Sequence, residues 1–169
     1  YAVSKCYQDL LAQNYYKNFD MRIIITRMFT YLNPRRTNLF ASNWASQIAK
    51  IEKGDKKLLH HGNLNSIRTI LDIENTMEAY WDCALKGKIG EIYNIGATEP
   101  IHIKLFLQKL IKLSTSKIKL YKDPKLLRKN DVTLQVPNIK KFRKDTKWKN
   151  NTDVAKSALD LLNYFRNLN

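Results

Sequence analysis

The sequence predicts an α/β fold. Three observations point to it. Helical stretches alternate with short, β-branched apolar runs. Two of those runs, Met21–Phe29 and Gly90–Gly96, are apolar enough to read as strands buried on both faces of a parallel sheet. The 169 residues suffice for one domain with its own core, and no repeat or low-complexity segment interrupts them. Only three or four strands are visible, few for a complete doubly wound sheet.

Taken in order, residues 1–17 have helical spacing, with Cys6, Leu10 and Leu11 on one stripe. Met21–Phe29 is the first strand, and Tyr31–Asn38 is a loop broken by Pro34. Phe40, Trp44, Ile48 and Ile51 mark a helix that Gly54 stops. Lys56–Asn63 reads as a short strand and turn, and Ser66–Ile73 is mixed. Asn75–Gly87 is a helix ended by glycine, with Asp72 and Asn75 as its capping residues. Gly90–Gly96 is a strand and Ile101–Thr115 an amphipathic helix. Lys117–Asp123 alternates like a half-exposed strand. The last helix, Thr152–Leu168, gathers Val154, Ala158, Leu161, Leu162 and Phe165 on one face.

Composition narrows the function. Hydrophobic residues make up 44% and charged residues 27%, as in a soluble globular protein, and no apolar run is long enough to span a membrane. No signal peptide is visible. Cys6 and Cys83 form no framework and no CxxC pair, so a reduced, cytoplasmic protein is expected. The formal charge of +15 suits nucleic acid or an anionic ligand. The lysines are scattered, however, and the densest run, Lys140–Lys149, contains an aspartate and two aromatics. His60, His61 and His102 show no metal-ligand spacing, and no metal is expected.

Tyr1 and Lys5 sit at i and i+4 in "YAVSK" and share a helix face. An ammonium beside a phenol favours the phenolate, which a general acid/base acting on a hydroxyl needs. The same spacing also arises in helices whose tyrosine and lysine are merely exposed.

The ordered set of motifs resembles the extended short-chain dehydrogenases of the NAD-dependent epimerase/dehydratase family. "YAVSK" is followed by a helix, the strand "IIITRMF" and a proline loop. "HGNLNSIRTILDIENTMEAYW" is similar to G-N-x-x-S-x-R-D-x-x-x-x-x-D and its helix, and "GEIYNIG" to the strand Y-N-[IV]-G. "LLRKNDVTLQVPNIKKFRKDTKWK" resembles the stretch that opens on Arg-Pro and closes on Gly-Trp-x-Pro. "NPRR" and "GNLNSIR" are most like GDP-mannose 4,6-dehydratases, and the reductase of the 4-keto product is similar almost as far. The chain departs from the pattern at Thr30 (Asn of Phe-Asn-His), Thr69 (Asp of Arg-Asp), Lys129 (Pro of Arg-Pro) and Lys147 and Asn150 (Gly and Pro of Gly-Trp-x-Pro).

The resemblance implies the C-terminal part of an extended Rossmann-type NAD(P)-binding fold. Residues 1–55 would end the Rossmann-type core. Residues 56–169 would form a nucleotide-sugar subdomain interleaved with the last core strand. With five glycines and no GxxGxxG, the dinucleotide loop, the catalytic Ser or Thr and the dehydratase glutamate are expected upstream of residue 1, and the chain alone is expected to be inactive. The reaction implied is oxidation at C4 of GDP-mannose, loss of water across C5–C6 and hydride return to C6, with NADP (or NAD) as cofactor. A homo-oligomer is implied, since the Tyr–Lys helix of the family often packs on a partner subunit.

The resemblance also assigns residues. Tyr1 would be the general acid/base, and Lys5 would hold the nicotinamide ribose. Arg35 and Arg36 offer guanidinium forks to cofactor or substrate phosphates, or are a solvated loop. Thr30, Asn43 and Trp44 fall where the family contacts substrate, although Trp44 at helical spacing also reads as core. Arg68 matches the arginine that grips the sugar-nucleotide diphosphate. Arg128 matches a second arginine, with Asp131 in the ribose-holding position. Trp148 reads as packing. The competing class is a basic nucleic-acid-binding domain, whose affinity would fall steeply with salt.

Overall fold

The computed structural model describes residues 1–127 and 129–168. The Arg128 assignment therefore lies outside the described residues.

Helix α1, Ala2–Phe19, ends where Asp20 enters the left-handed region at φ 50°. None of its residues is buried. Strand β1 (Ile25–Met28) lies parallel to β4 (Ile92–Ile95), with Ile25 opposite Ile92 and Met28 opposite Ile95. Two helices lie between them in the chain, and the second, α3 (Ile73–Lys86), leads directly into β4 and completes the crossover that a parallel pair requires. Asp72 caps it: its carboxylate accepts from the Asn75 backbone N–H at 2.7 Å and from the Asn75 side-chain amide at 2.8 Å.

Strand β1 is shorter than its apolar run and only half-buried, because among the described elements just one helix, α1, lies against it at its outer side. An apolar core does form around β4. It contains Leu71, Ala79, Cys83, Tyr93, Ile95, Ile139, Phe142 and Trp148. Tyr93 and Phe142 are 5.6 Å apart, as are Phe142 and Trp148. The last two residues belong to or follow α5, Lys140–Thr146. This helix escapes a periodicity reading because it turns in only Phe142 and Thr146. Its anchor is polar: the buried Tyr93 hydroxyl donates to Asp145 at 2.8 Å and accepts from the Lys88 backbone N–H at 3.0 Å.

A second core joins three helices: α2 (Phe40–Glu52), α4 (Ile103–Lys112) and α6 (Val154–Asn167). Trp44, Ile48, Phe106, Leu107, Leu110, Leu162 and Phe165 fill it. Burying such side chains contributes about 1.5–3 kcal/mol each. Around this core lie β2 (Leu59–His61), parallel to β6 (Leu120–Lys122), and β3 (Ile67–Thr69), parallel to β7 (Leu134–Gln135) and antiparallel to β5 (Pro100–His102). Ile101 and His102, expected to open the helix, are thus part of a strand. Ile101 pairs with Arg68, and the Ile103 N–H donates to the Ser66 carbonyl at 3.0 Å before the helix begins.

Candidate functional site

Two attachments fix the direction of α1. The Arg27 guanidinium in β1 donates to both Asp9 oxygens, at 2.8 and 3.0 Å. The Tyr16 ring lies on Gly90, whose φ of +82° is open to glycine; a Cβ there would meet Tyr16 at 2.2 Å. Gly90 precedes β4, so the Tyr16 end of α1 lies at the amino end of the strand pair. Tyr1 is about 22 Å further along the helix, a span that carries it past the carboxyl end of β1 and β4. That end is where open α/β sheets bind ligands. Tyr1 is 91% exposed there. The Lys5 ammonium stands 5.9 Å from the centre of the Tyr1 ring and donates to Gln8 Oε1 at 3.0 Å.

Beyond β1 the chain passes Thr30, whose carbonyl accepts from Leu71 N at 3.1 Å. It then enters the proline loop. Asn33 organises this loop: its side-chain oxygen accepts from Arg35 N at 3.0 Å, and its carbonyl accepts from Arg36 N and from the Ser42 hydroxyl. Arg35 and Arg36 point outward, exposed, from a loop stapled to the start of α2. In α2, Trp44 is buried among Phe40 and its neighbours, with 3% exposed. Asn43 is half-buried and accepts from Gln47 Nε2 at 2.6 Å. Gln47 then bridges to the His60 backbone, donating to its carbonyl at 3.0 Å and accepting from its N–H at 2.8 Å. One side chain therefore couples Asn43 to β2.

Strand β2 runs into a cavity of about 450 Å³ lined by His61, Gly62, Asn63, Leu64, Asn65, Lys104, Lys122 and Leu127. Its two lysines are balanced by no carboxylate in the lining. Gly62 allows the opposite wall to approach, since a Cβ there would stand 2.6 Å from the Leu126 carbonyl oxygen. That wall is the turn Pro124–Leu126. Its leading residue, Asp123, meets His60 Nδ1 at 3.0 Å, and the hydrogen bond from His60 holds the Asp123 carboxyl below its ordinary value.

Arg68 and Asp131 do not line this cavity; Asn63, which does, connects it to Asp131. Asn63 donates to Asp131 at 2.9 Å, and its own side-chain oxygen accepts from Asn65 N. Ser66, buried, donates to the Val132 carbonyl at 3.1 Å. Arg68 donates to the same carbonyl at 2.6 Å and to that of Ile67 at 2.9 Å. Burial lowers the guanidinium below its ordinary value, and the Asp131 carboxylate opposes the change. Segments 63–68 and 131–135 are thus zipped together, which brings Arg68 and Asp131, 63 residues apart, to one edge. Among the described residues, no side-chain hydrogen bond or ion pair joins Tyr1 or Lys5 to Thr30, Asn43, Arg68 or Asp131.

The sequence reading did not single out Asn63, Lys104 or Lys122. Asn63 lay inside a quoted motif, but its role depends on a partner 68 residues away. The lysines are two among many in a basic chain and carried no local signal. Among the described residues, no group of three His, Cys, Asp or Glu could hold a metal ion, and no helix is long and apolar enough to cross a membrane.

The chain is similar to known proteins over almost its whole length. A family model described as GDP-mannose 4,6 dehydratase matches residues 1–159. GDP-6-deoxy-D-mannose reductase of Pseudomonas aeruginosa is 23% identical over 164 residues, covering 96% of this chain and 54% of the relative. GDP-mannose 4,6 dehydratase of Dictyostelium discoideum is 24% identical, covering 96% of this chain and 51% of the relative. The structure of RMD from Pseudomonas aeruginosa complexed with NADPH superposes with a TM-score of 0.89 at 21% identity, over 98% of this chain and 56% of that one. UDP-glucuronic acid 4-epimerase from Bacillus cereus, in complex with UDP-glucuronic acid and NAD, gives 0.84 at 22%, over 99% and 52%. The chain thus spans about half the length of these relatives. Its α/β architecture matches the C-terminal half of Rossmann-type enzymes.

Proposed function

This chain belongs to the GDP-mannose 4,6 dehydratase family, and on that premise we propose that it supplies the Tyr–Lys pair and the nucleotide-sugar half-site of an NADP-dependent GDP-mannose 4,6-dehydratase, a lyase. The observation that supports the proposal is the meeting of Arg68 and Asp131 on one edge, with Asp131 joined through Asn63 to a cavity that presents Lys104 and Lys122.

A nucleotide sugar is a ribose and a sugar joined by a diphosphate. Cations suit the diphosphate, and the Asp131 carboxylate suits the ribose hydroxyls. Arg68 is fixed by two carbonyl bonds, so its remaining N–H groups are pre-oriented and lose little freedom on binding. Arg128 would add a second fork. Asn43 and the neighbourhood of Trp44 would meet the nucleotide base, and Thr30 would also contact the substrate.

Tyr1 would take the proton from the C4 hydroxyl as C4 is oxidised, and Lys5 would orient the nicotinamide ribose. Their position beyond the carboxyl ends of β1 and β4, exposed and on one helix face, fits the nicotinamide end of NADP. Arg35 and Arg36 are exposed cations fit for phosphates. None of the five glycines forms a GxxGxxG, so these residues fit one end of the cofactor only. When bound, NADP would supply the hydride chemistry that links C4 and C6. We propose that the 169 residues alone do not turn over, and that the exposed apolar side of α1 is covered in a homo-oligomer.

Calorimetric titration with GDP, GDP-mannose and UDP-glucose, repeated at higher salt, tests the reading. Saturable binding selective for the guanine ligands supports it. Equal, salt-abolished binding of all three would replace it with a diffuse basic surface.

The Pseudomonas aeruginosa reductase, aligned over 96% of this chain, favours a second reading: reduction of the 4-keto-6-deoxy product. A full-length enzyme carrying this chain, offered GDP-mannose or the 4-keto sugar with NADPH, distinguishes the two.

A further inference from the structure

The basic run Lys140–Lys149 lies outside the half-site, yet it shapes a second hollow. Arg143, Lys149, Asn150, Asn151, Thr98 and Ile139 enclose about 260 Å³, and none of these residues lines the first cavity. From this we propose a second ligand site, one that takes a small phosphomonoester.

The walls are built by the fold. Phe142 and Trp148 anchor the two ends of the run in the core around β4. Lys147, at φ 61°, reverses the chain after α5, so Arg143 and Lys149 come to the same hollow. Asn150 accepts from Thr152 N at 3.1 Å, and the Asn151 N–H donates to Asn75 Oδ1 at 3.0 Å, tying this wall to α3. Buried Ile139 forms the floor.

Charge selects the ligand. Two neighbouring cations are neutralised, Lys88 by Asp145 and Lys141 by Glu91, while Lys140, Lys144 and Lys147 do not line the hollow. Among the described residues, the side chains of Arg143 and Lys149 have no carboxylate partner, and no acidic residue lines the hollow. Two unpaired cations match a phosphomonoester, which carries about −1.5 to −2 at pH 7. A carboxylate or a single backbone phosphodiester carries half that charge. The hollow is a local concavity bounded by six residues, unlike the extended track that a nucleic-acid backbone follows.

The test is an amide NMR titration of the 169-residue chain with inorganic phosphate and with glucose 1-phosphate, at ionic strength held constant with sodium chloride. Acetate and a 12-base-pair DNA duplex are the comparison ligands. Saturable shifts at Thr98, Asn150 and Asn151 are expected with both phosphates. Arg143→Gln and Lys149→Gln should each weaken binding at least tenfold, while Lys140→Gln, outside the hollow, should leave it unchanged. Thermal unfolding checks that the variants fold. Equal loss in all three variants, equal response to acetate, or binding of the duplex alone would each overturn the site. GDP-mannose binding is read at other residues, so the two proposals fail separately.

Discussion

Glu52 and Arg166, 114 residues apart, meet as a fork: Arg166 Nε donates to Glu52 Oε2 at 2.8 Å and Nη2 to Oε1 at 2.7 Å. Arg166 also donates to the Leu113 carbonyl at 2.9 Å, and Thr115 N donates to Glu52. One carboxylate therefore ties the ends of α2, α4 and α6. The Arg166 hydrogen bonds hold the Glu52 carboxyl at about 2 against burial, which pushes the other way. A carboxyl lowered on folding adds stability that is complete above the ordinary carboxylate range and lost as pH falls through about 2. The shift corresponds to at most about 3 kcal/mol. Urea unfolding should find Glu52→Gln less stable by about 2–3 kcal/mol at pH 7, with the gap roughly halved at pH 3.

Arg68→Lys keeps the charge and loses the fork. Calorimetry should show GDP-mannose affinity reduced at least about tenfold, equivalent to about 1.4 kcal/mol. Far-UV circular dichroism should not change, because the β3–β7 pairing rests on backbone bonds and on Ser66.

Tyr1→Phe, built into a full-length enzyme, should lower kcat by roughly 10²–10⁴-fold. The affinity of the half-site for GDP-mannose should stay as it was. Loss of both together would move Tyr1 from proton transfer to substrate binding.

Gly62→Ala would press a methyl group against the Leu126 carbonyl. The turn 124–126 must then retreat from β2, at a cost of about 1–3 kcal/mol. Thermal unfolding should register the loss, and nucleotide-sugar affinity should fall with it.

Thr69 is fully buried, and among the described residues its hydroxyl has no hydrogen-bond partner. Thr69→Val replaces an unsatisfied oxygen by a methyl group of similar size. An increase of about 1 kcal/mol in unfolding free energy is expected, read from the urea midpoint.

Elements with strong periodicity or long apolar runs were legible from sequence. Helices α2, α3 and α6 follow their apolar stripes, and Asp72 caps α3 as its position implies. What escaped was held by distant partners. Strand β7 is two exposed residues that exist only because Ile67 and Arg68 pair with them. Helix α5 is nearly all charged, and its anchor is the Tyr93–Asp145 hydrogen bond, 52 residues away. In the candidate site, Arg68 and Asp131 stood in quoted motifs. Asn63, Lys104 and Lys122 become visible only once the loop 62–66 closes on the segment after Leu127.

Helix α1 turns no residue into a core, and its side contacts are the Asp9–Arg27 fork and the Tyr16 ring on Gly90. An eighteen-residue helix is only marginally stable in water by itself. Its amide protons should therefore exchange with deuterium well before those of α2 or α6, and a protease should cut residues 1–19 before any other helix. The carrier of Tyr1 and Lys5 is then the first cooperative unit of this chain to open, while the edge formed by Arg68 and Asp131 remains closed. If Tyr1 transfers the proton as proposed, whatever packs against α1 would govern when it is held in register, and occupancy of that face would act as a throttle on turnover separate from substrate affinity.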